Sequence, residues 1–439
     1  MNHLTSRMAM KDLILFAIPI ILGHIGLMLI GTGEMMVAGR YSRECLAAIG
    51  LAISVTNPVM MLGLGVQFAI SPLLAQKRGA GEDISPYFWT VMVISLVMGL
   101  IATALCYLSM YLIPYFGYTE NLNRIMREFI IIMSPSLLSL CLYQGVKEFF
   151  QAQEKTIVPN LIALIAAGLN IIVGMGLVFG KWGMPELNEP GLAWACIILR
   201  TFMGVALFLM GFRFWSTTKK IHFGFCKEVF RVGVPISISI FLEVMAFCSV
   251  TLFVGKFAEI QTAANNIVLN YASLAFMIPM SLASAVGVKV GHSFGEKNLG
   301  GIRVYTFVSL ILAITFTAGM ALVTFNFPEF ILGLYSEDLE VLHWGRKLLF
   351  WVACFQIFDG AQVTLAGILR GLSLTKISSF GIFIGYWIIG IPLGYFLGFH
   401  RGLEAQGFWM GLALSLALVA VMLGWILKRK MKSLIREGL

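Results

Sequence analysis

Long apolar runs separated by short polar connections recur along the whole chain. A helix needs about 20 predominantly apolar residues to cross the hydrocarbon core of a bilayer. Twelve segments reach that length, and these predicted spans are 13–39, 49–76, 84–113, 129–147, 156–180, 191–212, 232–255, 260–288, 304–328, 348–369, 377–399 and 405–427. The longest polar connection, residues 213–231, lies between the sixth and seventh spans. The pattern predicts an all-α membrane protein with twelve transmembrane helices, six on each side of this connection.

The two halves of the chain also resemble each other. A shift of 216 positions carries residues 17–82 onto the second half without a gap, so that Pro19 meets Pro235 and Gly39 meets Gly255. Duplicated halves are typical of secondary transporters, whose binding sites lie near the bilayer midplane. We therefore predict two pseudo-symmetric lobes of six helices each. The expected domains are an N-terminal lobe of residues 1–212, a cytoplasmic linker of residues 213–231, and a C-terminal lobe of residues 232–439 that ends in a basic tail.

Composition and charge support a membrane location. Hydrophobic residues make up 59% of the 439 positions and charged residues 12%, whereas soluble domains are about one quarter charged. With the N-terminus placed inside, 21 of the 31 lysines and arginines fall on the inner side and 9 on the outer side, with Arg200 inside a span. The positive-inside rule then places both termini in the cytoplasm. The net charge of +9 therefore indicates topology and not a nucleic-acid partner, and the short loops favour a bacterial inner membrane.

Two acids lie at the middle of predicted spans in the second half. Glu243 is in the seventh span and Asp359 is in the tenth, and no lysine or arginine lies at comparable depth in that half. A charge at the bilayer centre costs about 3 kcal/mol or more, so each acid must be protonated or must bind a cation. We interpret Glu243 and Asp359 as the coupling site for Na⁺ or H⁺, with both carboxylates as Na⁺ ligands. The alternative is a pair of protonated acids that only fasten helices.

A third acid lies closer to the outer end of the first span. Glu34 is five residues from that end, and Arg200 lies nine residues into the sixth span from the same side. If both helices are regular, the two side chains reach similar depth. We expect either a structural ion pair between them or a coupling site at Glu34 that protonation releases from Arg200.

Polar amides and aromatic rings complete the set of candidate side chains. Asn170, Asn266 and Asn270 lie inside spans, where amides bond neighbouring helices or bind substrates. Phe247 and Phe355 lie near the central acids and are candidates to line the site. The chain contains no GxxxxGK[ST], HExxH or GxSxG motif. We therefore expect no nucleotide hydrolysis, no hydrolase activity of these types and no cofactor besides the coupling ion.

Several segments together resemble the multidrug and toxic compound extrusion (MATE) family, in its bacterial NorM-like branch. They are AIPIILGHIGLMLIGTGEMMVAGR, PLLAQKRGAGE, GKWGMPELNEPGLAWA, FLEVMAF, FQIFDGAQ, GILRGLSLT, YWIIGIPLGY and GFWMGLALSL. The resemblance implies two six-helix lobes around a central cavity and export of substrate against an inward Na⁺ or H⁺ gradient. It also implies a cation site at the glutamate of the seventh span and the aspartate of the tenth, which are Glu243 and Asp359 here, with Phe247 one turn beyond the glutamate.

The chain departs from the pattern of that branch in three places. Glu34 replaces the usual aspartate of the first span, and Phe355 replaces a common tyrosine one turn before Asp359. A pair of asparagines in the fifth span is reduced to Asn170. Arg200 lies outside the family pattern. The departures place the coupling function on the second half and suggest that the first half has been adapted to a particular substrate.

Together these observations predict a secondary active antiporter that exports organic, cationic or amphipathic compounds in exchange for Na⁺ or H⁺. Its expected partners are small organic substrates and membrane lipid, and it is expected to work as a monomer. Two alternatives remain open at this point. One is a flippase for a lipid-linked saccharide with a related two-lobe fold. The other is an intramembrane enzyme that uses Glu243 and Asp359 as an acid pair.

Overall fold

The computed structural model describes residues 5–215 and 220–436, and this part of the chain is helical with no strand. The first half contains α1 (Ser6–Tyr41), α2 (Arg43–Gln67), α3 (Ile70–Gly79), α4 (Phe88–Ser109), α5 (Glu120–Met133), α6 (Ser136–Ala152), α7 (Ile157–Phe179) and α8 (Pro190–Met210). The second half contains α9 (Phe223–Val254), α10 (Glu259–Gly295), α11 (Leu299–Asn326), α12 (Pro328–Gly333), α13 (Leu339–Gly371), α14 (Thr375–Phe383), α15 (Ile391–Tyr395) and α16 (Glu404–Arg436). Two π-helical segments, Ile384–Gly390 and Phe396–His400, flank α15.

Eleven spans in the described chain are each long and apolar enough to cross a membrane, and a bent helix pair supplies a twelfth. The pair is α5 and α6, which meet at an angle of 48°. The predicted span 129–147 crosses this bend. Pro135 has no N–H to donate to the preceding turn, so the helix breaks there and restarts at Ser136. The prediction of an all-α protein with twelve spans is confirmed when the bent pair counts as one span.

Most helices extend beyond the apolar runs that identified them. α9 begins at Phe223, within the predicted linker 213–231, because residues 226–232 contain no glycine or proline that would end a helix. Residues 216–219 of that linker lie outside the described residues. α16 likewise continues through the basic tail to Arg436. Apolar length therefore identifies the membrane-crossing part of each helix and underestimates the whole helix.

The described helices form two compact units whose sequences interleave. One unit is Ile18–Ser237, and the other combines Met1–Ala17 with Ile238–Leu439. We call them the first-half unit and the second-half unit. α1 and α9 each contribute to both units, and their division points lie within three residues of Pro19 and Pro235. The division into lobes at residues 213–231 stays a prediction from the sequence.

Backbone geometry repeats between the two halves. A positive φ is uncommon, especially outside glycine, and three connections in each half contain such residues at four matching positions. The pairs are Gly81 with Lys297 and Asn188 with Glu404 at an offset of 216, and Glu154 with Ser373 and Gly183 with Gly402 at an offset of 219. The two halves therefore reverse direction at equivalent places, in agreement with the repeat seen in the sequence.

A buried lysine attaches the start of α1 to the second-half unit. Lys289 Nζ lies 2.8 Å from Asp12 Oδ2, and the Tyr305 hydroxyl donates to the same oxygen at 2.7 Å. The ammonium also lies over the ring of Phe16, 5.1 Å from its centre. A buried charge is tolerated when it is paired and hydrogen-bonded. This cluster therefore explains why the first turns of α1 pack with the second half of the chain.

The backbones of α10 and α13 approach each other closely within the second-half unit. A Cβ at Gly367 would lie 2.3 Å from the carbonyl oxygen of Ala283, and one at Gly371 would lie 2.7 Å from that of Gly287. The four residues are spaced one turn apart on each helix. Small residues at this spacing let membrane helices pack closely, which is a main source of their association.

We expect Gly367→Ala to destabilise the protein by about 1–3 kcal/mol, because the new methyl group overlaps a backbone carbonyl that cannot rotate away. Gly319→Ala in α11 is the control, since its Cβ would meet no atom within 4 Å. The midpoint of thermal unfolding in detergent measures both. Equal midpoints for the two variants would show that the close contact between α10 and α13 does not contribute to stability.

Candidate functional site

The Glu243 carboxylate on α9 is held by a phenol from the span 375–400. The Tyr386 hydroxyl donates a hydrogen bond to Glu243 Oε1 at 3.1 Å. The next residue, Trp387, donates its indole N–H to the carbonyl of Leu242 at 3.0 Å. Glu243 is partly exposed, whereas Tyr386 is buried. Two consecutive residues of the π-helical segment thus hydrogen-bond to two consecutive residues of α9. Together the two bonds define the orientation of the Glu243 side chain.

The π-helical segment that contains Tyr386 has a local cause. Pro392 has no N–H, so the carbonyl of Ile388 loses its usual α-helical partner. The N–H of Ile391 instead bonds to the Tyr386 carbonyl, five residues back. The extra residue in this turn changes which side chains face α9, and such π-bulges are frequent at functional sites. The direction of the Tyr386 side chain therefore depends on this local irregularity.

Four aromatic side chains, one of which is Tyr386, pack together beside α9 one turn after Glu243. The ring of Phe247, one turn after Glu243, lies 5.9 Å from the rings of Tyr386 and Phe355 and 6.4 Å from that of Trp409. The Phe355 and Trp409 rings are 5.6 Å apart and nearly perpendicular. Edge-to-face pairs at these distances are favourable. We call these four residues the aromatic cage, and it contains both phenylalanines selected from the sequence.

Asp359 lies on α13 beside a small cleft between α10, α11 and α13. The side chain is buried, and its Oδ1 has no hydrogen-bond partner among the described residues. Gln356 and Thr317 line this small cleft together with Asp359. The Gln356 Nε2 atom is also without a partner in the described chain. Unpaired buried polar atoms are costly, so this cleft has polar atoms available for a small ion or water.

The two central acids come together without a basic neighbour. Phe247 lies one turn after Glu243, and its ring packs 5.9 Å from that of Phe355, one turn before Asp359, so contacts between α9 and α13 bring the two acids into one region. Within the described chain, no lysine, arginine or histidine nitrogen lies within 4.0 Å of either carboxylate. Two neighbouring carboxylates repel each other when both are ionised. A bound proton or monovalent cation would relieve that repulsion, so the two acids form a candidate site for such an ion.

The asparagines of α10 lie differently from the expectation. Asn266 and Asn270 are exposed, and the Asn270 amide oxygen accepts a hydrogen bond from Tyr335 at 3.1 Å. The residue beside the aromatic cage is Asn265, which is buried and accepts from the Trp409 indole at 2.9 Å. Adjacent residues on a helix point about 100° apart. The structure therefore places Asn265 next to the aromatic cage, whereas Asn266 and Asn270 are exposed.

The expected ion pair between Glu34 and Arg200 is not formed. In the described chain no Arg200 nitrogen lies within 4.0 Å of a Glu34 oxygen. The Cys196 thiol donates to Glu34 Oε1 at 3.1 Å, whereas Arg200 Nη1 donates to Ser136 Oγ at 3.0 Å and contacts Met133. Arg200 lies one helical turn after Cys196 on α8. Its hydrogen-bond acceptor is the hydroxyl of Ser136, the first residue of α6 after the break. Glu34 is thus buried without a salt bridge.

Asn170 packs against α1 at Gly33, the residue before Glu34. It is buried on α7, and its Oδ1 lies 2.7 Å from where a Cβ of Gly33 would be. The amide thus packs against α1 directly before Glu34. Its Nδ2 has no partner among the described residues. The first-half unit therefore holds an acid and an amide side by side, but its arginine is directed elsewhere.

Tyr386, Asn265 and Gln356 are site residues that the sequence did not single out. Tyr386 lies in the apolar run YWIIGIPLGY, where the sequence alone does not distinguish it from the other large side chains of the span. Pro392 predicts an irregular helix, but it does not predict which side chains change direction because of the irregularity. Tertiary contacts alone assign these residues to the site.

Comparison with known proteins identifies the family to which the chain belongs. The profile of the MatE family matches residues 19–175 and 235–396. The probable multidrug resistance protein NorM of Bacillus licheniformis is 30% identical over 438 residues, which cover 95% of each chain. The multidrug resistance protein NorM of Vibrio cholerae is 29% identical over 95% of this chain and 96% of its own.

Solved structures share the fold. The crystal structure of the eukaryotic MATE transporter AtDTX14 superimposes with a TM-score of 0.87 over 99% of this chain and 100% of that one, at 21% identity. The resemblance to NorM-like MATE transporters is thereby confirmed. The MatE profile covers most of both halves, and the helices are long and apolar enough for multiple crossings. This chain is an integral, multi-pass membrane protein that belongs to the MatE family.

Proposed function

We propose that the protein is a secondary active antiporter that exports organic, cationic or amphipathic compounds in exchange for Na⁺ or H⁺. The observation that carries this proposal is the pair Glu243 and Asp359, two neighbouring acids with no basic partner within 4.0 Å in the described chain. The names of the NorM relatives, which are multidrug resistance proteins, support multidrug efflux as its function.

In the proposed cycle, coupling ion and substrate compete for the same negative charge. Binding of a proton or Na⁺ at Glu243 and Asp359 neutralises the site and weakens its attraction for a cationic substrate. Release of the ion restores the charge and the affinity for the next substrate. The ion gradient can drive export only if the states at the two ends of the transport cycle bind the ion and the substrate with different affinities. Equal affinity in both states would shift no equilibrium.

The proposal includes a location and a set of partners. Both termini are cytoplasmic in a bacterial inner membrane, in line with the 21 inner against 9 outer lysines and arginines. The protein acts as a monomer with small organic substrates, surrounded by lipid, without a cofactor besides the coupling ion. The substrate is transported without a chemical change, and recovery of intact labelled substrate from a counterflow assay tests this point.

We expect Asp359→Asn and Glu243→Gln to reduce ion-driven efflux at least about tenfold, because an amide keeps the size of the side chain but neither ionises nor takes up a proton. The assay is ethidium efflux from proteoliposomes under an imposed Na⁺ gradient or an imposed pH gradient. The gradient that drives efflux identifies the coupling ion.

Glu340→Gln serves as the matched control for these two variants, since Glu340 is exposed near the start of α13, the helix that also carries Asp359. It should retain the activity of the unmodified protein. Normal gradient-driven efflux by Asp359→Asn would contradict the assignment of the coupling site.

We expect single cysteines at the two membrane faces to label differently in intact cells. In a variant whose seven native cysteines are replaced by alanine, Arg401→Cys should react with an impermeant maleimide from outside. Lys432→Cys should react only after the membrane is permeabilised, because the basic tail is cytoplasmic in the proposed topology. Both positions are exposed in the folded chain. The reverse pattern of labelling would invert the topology.

A further inference from the structure

We propose that Tyr386 is the third member of the coupling site. Its hydroxyl positions the Glu243 carboxylate and presents a neutral oxygen to the bound ion, and the affinity for that ion depends on it. The inference rests on the proposed antiport and concerns the same two acids. Tyr386 acts on the ion both directly, as an oxygen ligand, and through its hydrogen bond to Glu243.

The contact between the phenol and the acid is specific. In the described part of the chain, Tyr386 is the one side chain that hydrogen-bonds to Glu243, at 3.1 Å. The Phe247 ring packs against both this phenol and Phe355, one turn before Asp359, so the phenol lies in the same region as both acids. The other members of the aromatic cage, Phe247, Phe355 and Trp409, have no oxygen in their side chains. The cage therefore has one hydroxyl, and it is directed at the acid.

A phenol suits a site that alternates between an empty and an occupied state. The hydroxyl has one proton to donate and two lone pairs to accept with. It donates to Glu243 when the carboxylate is ionised, and it accepts from the same group when the carboxyl holds a proton. While the hydroxyl donates its proton to Glu243, its lone pairs remain free to bind Na⁺. Na⁺ is a hard cation, and such cations prefer oxygen ligands. The same oxygen therefore serves either coupling ion.

The surrounding structure fixes the phenol in this position. The bond from the Ile391 N–H to the Tyr386 carbonyl defines the π-helical turn, and the Trp387 indole bond to Leu242 holds that turn against α9. On the opposite side of the segment, a Cβ at Gly385 would lie 2.2 Å from Val419 Cγ2. The segment is thus held on both sides. Ion binding does not have to order this side chain, which favours affinity.

Tyr386→Phe tests the role of the hydroxyl while it keeps the ring in the aromatic cage. We expect the apparent affinity for the coupling ion to fall about tenfold or more, since hydrogen bonds to charged groups are among the stronger ones. The substrate KM and the maximal rate at saturating ion should change by less than about twofold. Tyr395→Phe is the matched control, because Tyr395 lies in the same span, is exposed and has no hydrogen bond through its hydroxyl within the described chain.

A direct binding measurement complements transport. Trp387 and Trp409 flank the site, so their fluorescence in detergent should change when Na⁺ is added or when the pH is lowered. The midpoint of that titration should shift in Tyr386→Phe and stay unchanged in Tyr395→Phe. Phe355→Tyr in the Tyr386→Phe background returns a hydroxyl to the aromatic cage, and we expect it to restore part of the lost ion affinity.

The outcomes separate the inference from the function on which it rests. Failure of the unmodified protein to transport under either gradient would overturn the proposed antiport itself. Normal transport with an unchanged ion titration in Tyr386→Phe would overturn the role of Tyr386 and leave the antiport intact. Loss of activity at every ion concentration, together with a lower unfolding midpoint, would assign Tyr386 a structural role only and would also overturn the inference.

Discussion

The absence of water in the bilayer core is the constraint on which this structure depends. Every buried polar group there needs an internal partner, so the backbone forms helices and the side chains pair with one another. Lys289 follows this rule through Asp12 and Tyr305, and Glu243 follows it through Tyr386. Asp359 does not, because one of its oxygens has no partner among the described residues. The cleft beside Asp359 is one of the places where this rule is broken, and it is part of the proposed ion site.

Local irregularities in two spans position the side chains that bind the buried charged groups. A straight α-helix through residues 375–400 would present its side chains with a period of 3.6, and the π-helical turn before Pro392 interrupts that period. The break at Pro135 has a comparable effect in the first half, since it creates the helix start at which Ser136 receives Arg200. In both cases proline removes a backbone donor, and the helix accommodates this by redirecting side chains that bind charged groups.

The two halves share a backbone plan and differ in their chemistry. They reverse direction at equivalent residues, and α1 and α9 divide between the units near equivalent prolines. The second half combines two acids with a phenol and an aromatic cage. In the first half, the buried acid Glu34 accepts a hydrogen bond from a thiol, and Arg200 bonds to Ser136 and not to Glu34. The two halves therefore share a scaffold but place different side chains on it.

The sequence by itself determined the helical class, the number of spans, the repeat and the two central acids, because apolar length and the cost of an intramembrane charge are local properties. It also selected Phe247 and Phe355 through their spacing from those acids. Only the tertiary structure decided that Tyr386 and Asn265 join the site, that Asn266 does not, and that Arg200 turns from Glu34 to Ser136. Those outcomes depend on helix rotation and on local breaks in the helical period. A difference of one residue turns a side chain by about 100°, which hydrophobic patterning over a whole span does not resolve.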